Sequence, residues 1–185
     1  SNCVRRSGFR WEHPVHEVIK GTAATCHLDD LVIEHHPDTG KDRSYLLPML
    51  ETFAAEYPDD LRLKFYLGRE YSYRNMWAMS RKVLWDYANS SSYSAEKQEA
   101  LIMIADIDID PEKFLWQAIS VLPARREPWV KLARFYMTEG DWEMAKAMIL
   151  VAKTKQDRSL YTTQRSAWDE EFDNLASNIL DTSME

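Results

Sequence analysis

The stretch EPWVKLARFYMTEGDWEMAKAMILVA, residues 127–152, decides the fold of this chain. An acidic residue and a proline at Glu127-Pro128 start a helix, because both are favoured in its first turn. Apolar residues then recur at helical spacing until Gly140, where the helix is expected to end. Asp141 follows as the N-cap of a second helix. Two helices joined by so short a turn must pack antiparallel, so the stretch predicts a helix pair.

Helical periodicity extends over most of the remaining chain. From Asp42 onward the apolar residues follow the pattern of amphipathic helices, interrupted by polar or proline-containing turns. Asp110-Pro111-Glu112 is a strong start signal, Asn89–Ser92 is expected to form a loop, and Ser94 or a neighbour is expected to cap the next helix. We expect helices near residues 45–57, 61–73, 77–87, 94–105, 110–123, 127–140, 141–152 and within 168–180.

The first forty residues have a different character. Val15–Ile19, followed by the turn signal Lys20-Gly21, and the β-branched run Leu31–Ile33 favour short strands. All five histidines lie within the first 36 residues. The sequence therefore divides near residue 40 into an N-terminal part with short strands (1–40) and a helical domain (41–185).

Composition limits the class of protein. The 185 residues are 45% hydrophobic and carry a net charge of -7, which argues against a protein that binds nucleic-acid backbones. Two cysteines are too few for a disulfide framework, so a cytoplasmic location is expected. No apolar stretch approaches the ~20 residues of a membrane span.

The helices carry an internal repeat of about 34 residues. The best copy is Trp129-x-x-Leu132-Ala133-x-x-Tyr136 followed by Ala145 and Ala152, and a weaker copy contains Leu67-Gly68-x-x-Tyr71, with Ser80 and Tyr87 replacing small residues. The pattern resembles the tetratricopeptide repeat (TPR). That resemblance implies a mainly α fold, a TPR-like array of antiparallel helices forming an α-solenoid. A generic helical bundle is the alternative.

On this alignment, several side chains of the first helices face a concave groove. Arg69 and Arg134 occupy equivalent places in the two copies. One interpretation is a groove that binds an acidic or carbohydrate-bearing partner, and the other is an ordinary solvated face with salt bridges between repeats. The candidate groove residues are Arg62, Phe65, Arg69, Tyr73, Val130 and Arg134.

A second resemblance concerns the N-terminal phrases. Gly8–Trp11, Pro14–Glu17, Leu28–Asp30 and Ile33–His36 are similar in order and spacing to the end of the catalytic domain of bacterial family 2 glycosyltransferases that carry TPR helices. The resemblance implies that 1–40 is the remnant of a GT-A-type α/β domain and that the helices bind an acceptor or mediate dimerisation. The missing N-terminal catalytic domain would hold a nucleotide-sugar donor and a divalent Mn or Mg, so this chain alone is expected to be inactive.

His16 and Glu17 are the candidate catalytic residues that this resemblance implies. His16 would approach the metal or the donor diphosphate, and Glu17 would orient it or contact the acceptor, although the two also fit a purely structural pair. Asp108-Ile109-Asp110 matches the Asp-x-Asp metal motif by letter, but Asp110 is the expected helix cap. A zinc site from His13, His16 and His35 or His36 lacks a supporting motif. The competing class of function is a TPR protein-interaction module without enzymatic activity.

Overall fold

The computed structural model of this protein describes residues 9–12, 18–21, 34, 36, 40, 42–158 and 163–182. Within these residues the chain forms two short strands and eight α-helices, so the expectation of a mainly helical chain with a small β part is confirmed. No GT-A-type domain is seen in these ranges. The elements are β1 Phe9–Glu12, β2 Val18–Gly21, α1 Leu46–Glu56, α2 Leu61–Tyr73, α3 Trp77–Ser90, α4 Ser94–Ala105, α5 Pro111–Val121, α6 Glu127–Thr138, α7 Trp142–Thr154, a 3-10 turn Arg165–Ala167 and α8 Glu170–Asp181.

The chain divides into two compact units, residues 1–63 and 64–185. The division falls inside α2 rather than near residue 40, where the sequence periodicity changes. None of the helices described combines the length and apolar character needed to cross a membrane.

The first unit contains a two-stranded antiparallel sheet. Trp11 of β1 lies opposite Ile19 of β2, and both side chains are exposed. The strand predicted at Val15–Ile19 overlaps β2 only at its last two residues. Its other residues, and the strand predicted at Leu31–Ile33, lie outside the described residues.

The second unit is built by helices that pack on their neighbours in sequence. α3 packs on α4, α4 on α5, α5 on α6 and α6 on α7, while α8 contacts α7 and the 3-10 turn. This order of contacts is the one expected for successive antiparallel hairpins. The largest apolar side chains at its centre, each almost inaccessible to solvent, are Phe65, Leu84, Tyr87, Ile102, Ile104, Leu132, Ile149 and Ile179.

Two of the predicted helix starts are confirmed in detail. The Asp110 carboxylate accepts a hydrogen bond from Lys113 N (3.4 Å), and the Asp141 carboxylate accepts one from Met144 N (3.0 Å). Each bond satisfies an amide that would otherwise lack a partner in the first turn. Gly140 precedes Asp141 with φ 78°, a conformation that glycine adopts without steric cost.

The predicted loop between α3 and α4 starts too early. Asn89 and Ser90 belong to α3, and Asn89 Nδ2 donates to Trp85 O (2.8 Å) one turn earlier. Ser94 is the first residue of α4, and its neighbour Tyr93 occupies the N-cap position, without a side-chain bond. Leu84 and Tyr87 are buried and recur at helical spacing, and this pattern extends α3 further than the polar composition of Asn89–Ser92 predicts.

The crossing of α2 and α3 depends on a glycine. A Cβ atom built on Gly68 would lie 2.6 Å from Leu84 Cδ2 and 2.7 Å from Leu84 Cγ, which is closer than real contacts allow. Beside it, Ser80 Oγ donates to Gly68 O (2.9 Å) in a buried setting. Gly68, together with the hydrogen bond from Ser80 to its carbonyl, thus lets the two helices approach closely.

We predict that Gly68→Ala destabilises the protein by about 1–3 kcal/mol, the usual cost of overpacking a core. Without the contact, the same change would stabilise a helix by about 1 kcal/mol. The measurement is the free energy of unfolding from urea denaturation.

The control is the double variant Gly68→Ala with Leu84→Ala. Because removing the Leu84 side chain relieves the clash, the double variant should lose less stability than the sum of the two single variants. Additive losses would contradict the steric explanation.

Candidate functional site

One surface of the second unit carries a row of alternating charges, which we call the charged face. It consists of Arg69 and Tyr73 on α2, Glu99 on α4, and Lys131 and Arg134 on α6. Arg69 and Lys131 both attract the Glu99 carboxylate electrostatically. The sign of the charge therefore alternates across the surface, from positive on α2 to negative on α4 and positive on α6.

Two salt bridges mark the edges of this face. Lys131 Nζ lies 2.5 Å from Asp106 Oδ1, just beyond the end of α4. Arg134 Nη2 lies 2.6 Å from Glu171 Oε1 in the first turn of α8. Both pairs are partly exposed to solvent, so each contributes little to stability, but each fixes the direction of a long side chain.

Arg69 lies among aromatic rings. Its guanidinium carbon is 5.5 Å from the ring centre of Phe65, 5.3 Å from that of Tyr66 and 5.7 Å from that of Tyr73. Its Nη2 donates to the Tyr73 hydroxyl (3.1 Å). Burial acts to lower the pKa of Arg69, but Tyr73, Tyr66 and Glu99 outweigh it, so the pKa lies above its ordinary value. Arg69 is therefore a firmly charged group on a rigid aromatic support.

Arg69 also differs from Arg134 in its ion pairing. Among the residues that the structure describes, no carboxylate lies within ion-pair distance of the Arg69 guanidinium, whereas Arg134 is held by Glu171. Arg69 is thus a preorganised cation whose carboxylate partner is not supplied by this part of the chain.

Glu99 is the central anion of the face. Its two carboxylate oxygens accept from Gln164 Nε2 at 3.2 and 3.4 Å. Burial raises the pKa of Glu99, and the hydrogen bond from Gln164 together with the charges of Arg125 and Lys131 offsets this only in part. The charged form of Glu99 is therefore stabilised less well than it would be in water.

A buried ion pair lies beneath the face at the start of α6. Arg125 Nη2 donates to Glu127 Oε1 at 2.8 Å, and both side chains are fully buried. The same oxygen accepts from Gln164 N (3.2 Å) and from Trp168 Nε1 (3.1 Å). Through Gln164, which also binds Glu99, this buried carboxylate is linked to the charged face.

Arg126 attaches the segment before α8 to the rest of the unit. Its nitrogens donate to Ala152 O (3.0 Å), Lys155 O (2.9 Å) and Ala167 O (3.4 Å). Its guanidinium carbon is 4.0 Å from the ring centre of Trp168. Burial lowers the pKa of Arg126, and so does nearby positive charge. These contacts satisfy carbonyls at the end of α7.

The structure separates the predicted groove residues. Tyr73 is exposed and Arg69 and Arg134 are partly exposed, so these three lie on an accessible surface. Phe65 and Val130 are buried in the core, and the prediction that they line an open groove is wrong. Arg62 is half-buried and belongs to the first unit. At Arg134 the structure shows a salt bridge between helices, which is the second of the two sequence interpretations.

The candidate catalytic residues His16 and Glu17, like His13 and His35, lie outside the described residues, and their roles stay predictions. His36 is exposed, with Nε2 at 3.3 Å from Glu34 Oε2. Over the ranges that are described, no group of three or more His, Cys, Asp or Glu side chains is arranged to hold a metal ion.

The Asp-x-Asp triplet serves a structural role. Asp110 caps α5, and Asp108 forms an ion pair with Arg81 of α3. Burial acts to raise the pKa of Asp108, but the hydrogen bond and charge of Arg81, together with hydrogen bonds from the backbone of Asp110 and Ile109, outweigh it and the pKa is lowered. Both carboxylates are therefore engaged within the helical unit.

Sequence reasoning missed Glu99 and Gln164. Glu99 lies in the stretch between the two repeat copies, where no repeat position pointed to it, and Gln164 lies in a segment with no helical pattern.

Comparisons with models of protein families, with curated proteins and with solved structures find no match for this chain.

We predict that Glu99→Gln removes a pH-dependent part of the stability. Because the folded pKa of Glu99 is raised above the ordinary glutamate value of 4.5, the contribution of the wild-type side chain to stability is complete below that pH and is lost as the pH rises through the folded pKa. The glutamine variant should therefore gain stability relative to wild type between acid and neutral pH, as measured by urea unfolding at a series of pH values. Glu143→Gln on α7, at an exposed position, is the control and should show no such trend.

We predict that Glu127→Ala destabilises the protein by about 3–5 kcal/mol, because it leaves the buried Arg125 charge without its carboxylate. The double variant Arg125→Met with Glu127→Gln removes both charges but keeps an amide oxygen that can accept from Gln164 N and Trp168 Nε1, so it should recover most of this loss. Thermal and urea unfolding of the three proteins test the expectation. Equal losses in the single and double variants would show that packing, rather than charge, dominates.

Proposed function

We propose that this chain is a TPR-like protein-interaction module and that the charged face binds an acidic segment of a partner protein. The observation that carries the proposal is Arg69, a half-buried cation supported by three aromatic rings and without a carboxylate partner among the described residues. Arginine and tyrosine are enriched among the residues that contribute most to protein interfaces.

The geometry favours an acidic peptide over a basic one. A carboxylate placed against Arg69 would meet a fixed guanidinium and the Tyr73 hydroxyl, so little side-chain entropy is lost on binding. Glu99 lies across the charged face from Arg69. It would repel a partner whose acidic residue is placed beside Glu99 instead of beside Arg69. Attraction at Arg69 and repulsion at Glu99 together would select the position of the acidic residue.

The repeat interpretation is supported by the order of helix contacts and by the close approach at Gly68. Successive helices pack on one another, and α2, α4 and α6 supply the charged face while α3, α5 and α7 alternate with them. In a TPR-like array the first helix of each pair lines the binding surface. If α2, α4 and α6 are the first helices of three pairs, the charged face corresponds to that surface.

The proposal does not depend on a catalytic domain. In the glycosyltransferase that the sequence resembles, the same face would position a protein or glycan acceptor or a second subunit. Transfer of a sugar from a nucleotide donor, with Mn or Mg, stays a prediction that rests on the resemblance alone.

The experiment uses peptides selected from a random phage-displayed library on the whole chain. We expect the selected peptides to contain Asp or Glu and to bind more weakly as ionic strength rises. Arg69→Ala should weaken binding about tenfold or more, as for a central interface residue.

Arg134→Ala is the matched control, since its guanidinium is already paired with Glu171. It should change the affinity of the same peptides much less. The proposal would be contradicted if the selected peptides bound Arg69→Ala, or the double variant Arg69→Ala with Arg134→Ala, as tightly as wild type.

A further inference from the structure

A separate cleft lies between α3, α4 and α5, with a volume of about 290 Å³. Its apolar wall is formed by Trp85 and Ala88 of α3, Leu101 of α4 and Val121 of α5. Leu101 and Ala88 are buried, whereas Trp85 is partly exposed. None of these residues belongs to the charged face, so the cleft is a second candidate site.

Trp85 gives the cleft a fixed aromatic side. Its ring packs edge-on against Phe114, with ring centres 5.7 Å apart and an interplanar angle of 86°. Because Phe114 is buried in the core, the Trp85 ring is held in place before any ligand arrives. A preformed apolar wall of this kind suits a small planar or hydrocarbon group.

The polar side chains of the cleft fall into two groups. Asn89 Nδ2 donates to Trp85 O (2.8 Å) and Ser120 Oγ donates to Trp116 O (2.9 Å), so both already use a donor within their own helices. Lys97 and Gln117 also line the cleft. Among the described residues, neither the Lys97 ammonium nor the Gln117 amide has a hydrogen-bond or ion-pair partner.

We propose that this cleft binds a small organic carboxylate with an apolar body. Lys97 would pair with the carboxylate, Gln117 would donate an amide N–H to it, and the Trp85 wall would contact the apolar part. One lysine and one amide match a monoanion better than a phosphate, which favours several converging donors.

The position of Lys97 supports an anionic ligand. Among the side chains that line the cleft, Lys97 is the one that carries a charge, and that charge is positive. A carboxylate in the cleft would be attracted by it. This inference does not rest on the proposed binding of acidic peptides, because that binding involves Glu99, on the opposite side of α4 from Lys97.

The experiment is a titration of the isotopically labelled whole chain with sodium 3-phenylpropionate, followed by NMR. We expect saturable shifts confined to residues around the cleft, including the Trp85 indole. The neutral analogue 3-phenylpropionamide should bind about threefold to fivefold more weakly, as expected for the loss of one partly exposed ion pair.

Lys97→Met should weaken binding of the carboxylate by the same factor and leave binding of the amide unchanged. Lys153→Met, at an exposed position of α7, is the matched control and should bind both probes as wild type does. Absence of localised shifts, equal binding of acid and amide by wild type, or equal behaviour of the two lysine variants would overturn the proposal. The comparison of the two probes on wild type remains decisive even if a variant does not fold.

Discussion

The Glu127 carboxylate is the constraint on which the C-terminal half of the helical unit depends. One of its oxygens accepts from Arg125, from the backbone of Gln164 and from the Trp168 indole. Removing two charges from water is costly, and the three hydrogen bonds to this oxygen offset that cost only in part, because Glu127 Oε2 has no hydrogen-bond partner among the described residues. The pair therefore fixes where α6 begins and where the segment before α8 must lie. Gln164, once placed by Glu127, supplies the amide that binds the partly buried Glu99 carboxylate.

The charged face shows how one repeat position acquires two different properties. Arg69 and Arg134 are equivalent in the sequence alignment, but their neighbours differ. Arg134 meets Glu171 in the acidic first turn of α8, whereas Arg69 meets the rings of Phe65, Tyr66 and Tyr73. A salt bridge neutralises the first arginine within the protein. Aromatic support keeps the second in place while leaving its charge available to a partner.

Local sequence signals predicted much of the fold and little of the candidate site. Asp110 and Asp141 were identified as caps because a cap bond involves residues only three apart. Glu99 was missed because its surroundings come from Gln164 and Lys131, which are distant in sequence, and no local pattern records such a contact. Phe65 was wrongly assigned to an open groove because helical spacing gives the direction of a side chain but not what covers it.

The contacts of Arg126 have a consequence for the order of folding. Neighbouring helices such as α6 and α7 need to close only a short turn, so their contacts form at little entropic cost. The bond from Arg126 to Ala167 joins residues that are 41 apart in sequence, so it closes a long loop, and the other two acceptors of Arg126 lie at the end of α7. We therefore expect docking of α8 to be a late event in folding, and α8 to be among the first helices released when the unit begins to open.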